Sequence, residues 1–519
     1  METINPERIR AHVRFLSHDL LEGRGTGQRG GDIAAEYIGT QFALYGLKPG
    51  GENSTYLQKV PMVGITPGAE TTFTFVPSTG QAMQLKVLDD YVCYDQTQQP
   101  KSQIDAPIVF VGYGIHAPEY NWDDYKGVDL KGKVALMLVN EPPSEDPRFF
   151  KGKALTYYGR WTYKYEEAAR RGAVGAVLIH ETDMASYPWD VVRNSNSGEK
   201  SYLKLDNTPK LKAAAWIQLA VAERLVAASG QDIKHLMSAA KSRDFKPVPL
   251  TVKLQAHIAS KIRPFESNNV IGILPGSDPK LKDEAVLYTA HYDHLGIRPD
   301  MPGDNIYNGA DDNATGCGII LELARAFGQA PLRPRRSVIF AAVTAEEQGL
   351  LGSEYLGKHP PIPAGRITLD LNFDDLPPLG SPEDVEVSGA ERTDFYRIVE
   401  ATAKDFRLTI RPDAHPEAGH YYRSDHFSLA RVGIPSFSVN EGVKYKGHDE
   451  AWGLAQDEEY NEKHYHQPSD EYHPDMDFTG DGTMARFGFV LGWQAASLPR
   501  LVGWERGDEF EAARLKSSE

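Results

Sequence analysis

The segment 308–318 reads NGADDNATGCG and sets two aspartates, Asp311 and Asp312, side by side among small residues. Adjacent side chains point in different directions, so one centre is expected to use only one of the pair. Other acids and imidazoles fall at comparable places. His291, Asp293 and His294 close the apolar run AVLYTA, Glu346 and Glu347 follow SVIFAAVTA, Asp374 and Asp375 follow ITLDLN, and His466 and Asp470 lie in YHQPSD. Crowded together, such groups repel or desolvate one another unless a cation sits among them. Imidazole and carboxylate ligands suit zinc or a similar first-row divalent ion. The set lacks cysteine, which points away from a closed structural site and toward an open, water-bearing one. Two histidines and three or four carboxylates exceed the needs of one four-coordinate ion. The surplus predicts two ions sharing a carboxylate and a water, at the ~3.5–4 Å spacing of such pairs.

Taken singly, each residue has a plain alternative. His291 reads as a strand-end histidine, the two glutamates as a solvated helix start, Asp374 and Asp375 as loop solvation, and His466 as a turn residue. Their recurrence after successive strands favours a shared site, because ligands of open α/β sheets bind at the carboxyl ends of strands.

The elements that must position these groups follow from pattern. After residue 260, strand-like runs (NNVIGILPG, AVLYTAHYD, RSVIFAAVTA, RITLDLNFD, IPSFSVNEG) alternate with helical ones (GIILELARAFGQA, TDFYRIVEATAKDF, MARFGFVLGWQAAS). That alternation predicts an α/β fold, a mostly parallel mixed sheet with helices on both faces. From about 60 to 260 the texture is different: short apolar runs between Pro/Gly turns, with one clear helix, TYKYEEAARRGA, predict a small β-rich module. The expected domains are therefore 1–60 and 261–519 for the catalytic part and 61–260 for the insertion. The glycine-rich stretch LEGRGTGQRGG (21–31) reads as a tight structural loop, since no strand clearly precedes it and a P-loop lysine and hydroxyl are missing.

The chain's 519 residues exceed one ordinary core. Its formal charge of −16 argues against nucleic acid or an anionic membrane as partner. No run approaches the ~18–20 apolar residues of a membrane span. Two distant cysteines, Cys93 and Cys317, exclude a disulfide scaffold.

The motifs HYDHLG, NGADDNATG, AEEQGLLGS, LNFDD, SDHFSLARVGIP and YHQPSDEY, in that order, resemble the co-catalytic zinc exopeptidases, the family of leucyl-type bacterial aminopeptidases, aminopeptidase Y and glutamate carboxypeptidase II. DLKGKVALMLVN with YKYEEAARRGAVGAVLIH resembles the protease-associated domain that some members carry as an insertion. The resemblance implies two zinc ions per subunit, peptide substrates and aminopeptidase activity. It assigns His291, Asp374 and Asp311 to one ion and Glu347, His466 and Asp311 to the other, with Asp311 bridging. It makes Glu346 the general base and Asp293 the carboxylate that orients His291. It also implies a cis peptide bond between Asp311 and Asp312. Asp425, Tyr422 and Tyr465 are its candidates for substrate contact, and Asp470 a candidate for orienting His466 or holding a turn.

The nearest alternatives are a carboxypeptidase or dipeptidase of the glutamate carboxypeptidase type, a glutaminyl cyclase, and a non-catalytic receptor-like relative. Cyclases of the family usually carry tryptophan before the last histidine, where Tyr465 stands here, and the receptor-like relatives have lost ligands that this sequence retains. A serine hydrolase finds no G-x-S-x-G elbow. Relatives with the insertion are commonly exported, so a secreted or periplasmic protein whose leader is absent from this chain is expected, and a cytoplasmic one otherwise.

Overall fold

The structure is a computed structural model that describes residues 1, 3–185, 187–299 and 301–518. The chain divides into two compact units. One comprises Met1–Pro61, Glu266–Ala414 and Tyr421–Glu519; the other comprises Met62–Phe265 and His415–His420.

In the first unit, strands Ser436–Ser438, Ile367–Asn372, Ala285–His291 and Ser337–Val343 lie in that order and run parallel. The end of strand Val248–Leu274 adds antiparallel to the last of them, and Lys48–Pro49 to that in turn. Side chains of a strand alternate between faces, and here both faces are covered. Val286, Tyr288, Val338, Phe340, Leu369 and Leu371 pack into one core with helices Pro6–Leu16, Arg29–Leu44, Gly316–Gly328 and Thr479–Ser497. Leu287, Ile339, Ala341 and Ile367 pack on the other face with Leu356 of helix Leu351–Lys358 and Leu429 of helix His426–Ala430. Double coverage explains why these strands read as unbroken apolar runs. The fold is the mostly parallel α/β sheet expected.

The second unit has its own sheet. Strands Lys101–Phe110, Val134–Leu138, Gly175–His180 and Ala213–Gln218 run parallel, and Tyr91–Tyr94 closes one edge antiparallel. Helix Trp161–Arg170 occupies the place read as helical, and further helices, Leu219–Ala227 and Ile233–Ala239 among them, make the unit more mixed than its β-rich reading. No described helix is long and apolar enough to cross a membrane.

Candidate metal centre

Every element that delivers a candidate ligand does so at one rim of the first unit's sheet. His291 is the last residue of its strand, Glu346 and Glu347 follow Ser337–Val343, and Asp374 follows Ile367–Asn372. Asp312 lies in the turn Ala310–Thr315, directly before helix Gly316–Gly328. Gly309 allows that turn its entry: its φ is 58°, and a Cβ there would stand 2.2 Å from the carbonyl oxygen of Asp312.

Two groups of potential ligand atoms result, each drawn within 4.8 Å: His291, Asp312 and Asp374, and His294, Asp312 and Glu347. The Nε2 of His291 is 3.1 Å from Oδ1 of Asp312 and 2.9 Å from Oδ1 of Asp374. The Nε2 of His466 is 3.2 Å from Oδ2 of Asp312 and 3.0 Å from Oε2 of Glu347. The Nδ1 of His294 approaches Oε1 of Glu347 to 2.6 Å, yet neither atom makes a hydrogen bond of acceptable geometry. An orphaned imidazole nitrogen facing an orphaned carboxylate oxygen, in a set made of nitrogen and carboxylate oxygen alone, matches the donors a zinc-like divalent ion takes. The residues fit such an ion.

The shared carboxylate is Asp312, which corrects the assignment to Asp311. The carboxylate of Asp470 accepts the backbone N–H of Asp311 at 2.9 Å and that of Asp312 at 3.2 Å, and so fixes the turn with Asp312 toward the imidazoles. Asp311 points elsewhere; its buried Oδ1 has no hydrogen-bond partner. Burial first, then the charges of Asp470, Asp481 and Asp312, push its carboxyl well above the usual range. The cis peptide bond is likewise one place further on, between Asp312 and Asn313. Asp470 is thus a turn-holding residue and makes no bond to His466.

Electrostatics separate the carboxylates by role. Burial tends to raise Asp312, but the imidazoles of His294, His291 and His466 outweigh it and hold the carboxyl well below its ordinary value. Burial also tends to lower His466, but hydrogen bonds to Asp312 and Glu347 lift its imidazole to about 10. Protons there supply the positive charge that a metal would replace. Glu346 behaves oppositely: burial, with Glu347, Asp374 and Asp425 nearby, holds its carboxyl well above normal despite His291. Glu346 belongs to neither ligand group. Its backbone N–H donates to Oδ1 of Asp293 at 3.1 Å. Ala345, His466 and Asp375 all sit in the left-handed region, at φ 57°, 57° and 55°. Such non-glycine residues concentrate where surrounding structure over-determines a site.

The surrounding residues sort differently from expectation. The Nδ1 of His291 faces the backbone carbonyl of Asp293 at 3.1 Å, whereas that residue's carboxylate is 3.9 Å away and accepts from Thr26 at 2.8 Å. Ser424, which the reading of SDHF passed over, donates its hydroxyl to Oδ2 of Asp374. Asp425 is fully buried, and Tyr422 is buried with its hydroxyl on Glu509 at 2.6 Å. Tyr465 differs: it is 41% exposed and stacks on His466 at 4.0 Å. His294, named at the strand end in the sequence but given no ligand role there, joins Asp312 and Glu347 in one ligand group. Cys317 donates its thiol to the carbonyl of His291 at 3.1 Å, a packing role.

The model of peptidase family M28 matches residues 269–487, which include both ligand groups, Glu346 and His466. The M28 segment leaves out residues 1–61 and all of 62–265. Leupeptin-inactivating enzyme 1 of Streptomyces exfoliatus is 31% identical over 180 residues, 34% of this chain and 36% of that protein. A "probable zinc metalloprotease" of Pyricularia oryzae is 36% identical over 108 residues, 20% of this chain and 19% of that protein. The chain thus spans about a third or less of the length of these curated relatives. Among solved structures, an aminopeptidase from Aneurinibacillus sp. strain AM-1 aligns over 96% of both chains, with 19% identity and a TM-score of 0.49.

Proposed function

We propose that this chain is a zinc-dependent exopeptidase, an aminopeptidase that removes N-terminal residues from peptides, and that it holds two ions. The observation that carries the reading is the sharing of Asp312 between two ligand groups, with the raised carboxyl of Glu346 beside them and outside both. His291 and Asp374 would complete one ion's set, and Glu347 with His466 the other's; His294 stands close enough to Glu347 to compete with His466. The chemistry that such ions supply is charge neutralisation, polarisation of a scissile carbonyl and acidification of water.

The protein's own residues do the rest. Glu346 takes the proton of the attacking water and returns it to the departing amine, a task for a carboxyl whose affinity for protons is raised toward working pH. Ser424 holds Asp374 through one oxygen and leaves the other facing His291. Tyr465, exposed against His466, forms the substrate side of the site. Zinc names among the relatives and the cysteine-free donor set support the metal; the aminopeptidase direction rests on the family and on the motifs.

The test is hydrolysis of a panel of aminoacyl anilides and of blocked and C-terminally free peptides, with and without chelator. Release from unblocked N-termini, lost on chelation and recovered with Zn2+, is expected. Activity that survives chelation, or cleavage confined to C-terminal residues, would overturn the reading.

A further inference from the structure

Beneath the Asp312 turn lies a side chain from the glycine-rich loop at 21–31, outside the M28 segment. Arg24 is wholly buried. Its Nε donates to the carbonyl of Tyr292 at 2.7 Å, Nη1 to those of Leu16 at 2.6 Å and Asn308 at 2.5 Å, and Nη2 to that of Gly309 at 2.8 Å. No carboxylate pairs with it among the described residues. Its own carbonyl accepts the N–H of His294 at 3.2 Å. Two residues on, Thr26 donates to Asp293 at 2.8 Å. The loop is shaped for this approach: Arg24 has φ 48°, and Gly23, at φ 65°, has no space for a side chain, since a Cβ would come within 2.5 Å of the carbonyl of Tyr307.

We infer that Arg24 is a positioning residue for the shared carboxylate, tying the Asn308–Gly309 turn that leads to Asp312 against the His291–His294 segment. This rests on the two-ion reading above. The acceptors decide the role. Tyr292 lies between His291 and Asp293, and Asn308 and Gly309 immediately precede the Asp312 turn, so one planar guanidinium holds both arms of the site at fixed separation. Arginine suits the task because its donors form a rigid fork. A lysine would keep the charge but has a compact tetrahedral head, which cannot serve these four carbonyls in their present directions. Residues that orient metal ligands typically change metal affinity about 10–100-fold when replaced.

The experiment measures Zn2+ affinity of the full chain by competition with a fluorescent chelator, in the wild type and in R24K, R24M and R336K. Thermal melts of the metal-free proteins and Co2+ absorption spectra accompany it. Arg336 is the control: it too is buried and donates to carbonyls, at Leu498 and Ala495, but it precedes the strand Ser337–Val343 at the end away from Glu346. R24K and R24M should bind Zn2+ about 10–100-fold more weakly and alter the Co2+ bands, while R336K lowers the melting temperature and leaves affinity unchanged. Should R24M fail to fold, R24K carries the result. Wild-type affinity in R24K, or an equal loss in R336K, overturns the assignment. A wild type that binds no Zn2+ overturns the two-ion reading itself.

Discussion

At the scale of single residues, the two neighbouring aspartates make opposite forecasts. Asp312→Asn removes the carboxylate common to both ligand groups and should strip bound zinc, as measured by elemental analysis after dialysis. Asp311→Asn should keep it, because that carboxyl faces no imidazole and already favours its protonated form. Retention of full zinc by Asp312→Asn would refute the bridging role. Glu346→Gln should lower kcat by about 10²–10⁴ while leaving zinc content and KM nearly unchanged; a loss confined to KM would argue against a proton-transfer role. Much of this site is legible in the sequence, since His291, Glu346, Glu347 and Asp374 each follow an apolar run long enough to be a buried strand. What could not be read is register inside a turn. Which of two adjacent aspartates faces inward depends on a carboxylate donated by Asp470 from a distant loop, and no local pattern encodes that contact.

At the scale of elements, the turn before helix Gly316–Gly328 depends on Gly309. Gly309→Ala forces a Cβ into the carbonyl of Asp312 at a left-handed position and should destabilise the protein by about 2 kcal/mol or more, with zinc affinity falling in parallel. Chemical denaturation and chelator competition on the same samples would test both. Helix Pro6–Leu16 carries a separate pH dependence. His12 is buried there between the hydroxyls of Tyr37 at 2.8 Å and Tyr45 at 3.3 Å. Burial, aided by Arg8 and Arg325, lowers its pKa to about 4. The folded state therefore binds its proton less readily than the unfolded one. The stability this confers is present above about 6.5 and is lost as pH falls through about 4. The loss amounts to at most about 3 kcal/mol. His12→Gln should flatten the stability curve across that window; an unchanged acid limb would exclude His12 as its source. The helix Glu450–Lys463 was invisible in the sequence for a different reason. Only Gly453 in it is buried, so no apolar stripe marks it, and its start is set by the side chain of Asp449 accepting from Trp452 N–H at 2.9 Å.

At the scale of the whole molecule, the two units have separate cores, and only the first contains the candidate centre. Calorimetry should resolve two unfolding transitions, of which Zn2+ raises one. A ligand at 100 times its Kd adds about 2.7 kcal/mol to the state that binds it. A single transition, or equal shifts of both, would contradict independent unfolding. The α/β class was readable because strand and helix periodicity are local. The helices Leu219–Ala227 and Ile233–Ala239 were not, since a short apolar run reads alike as a buried strand or a buried helix segment.

The Asp312 turn has one more consequence, and it concerns time. Its carbonyls are held by Arg24, 284 residues from Asn308, and its N–H groups by Asp470, 159 residues from Asp311. On a ribosome the turn emerges long before Asp470 does. A growing chain therefore carries this turn unfixed, and the candidate centre unassembled, until the loop that bears Asp470 has been made.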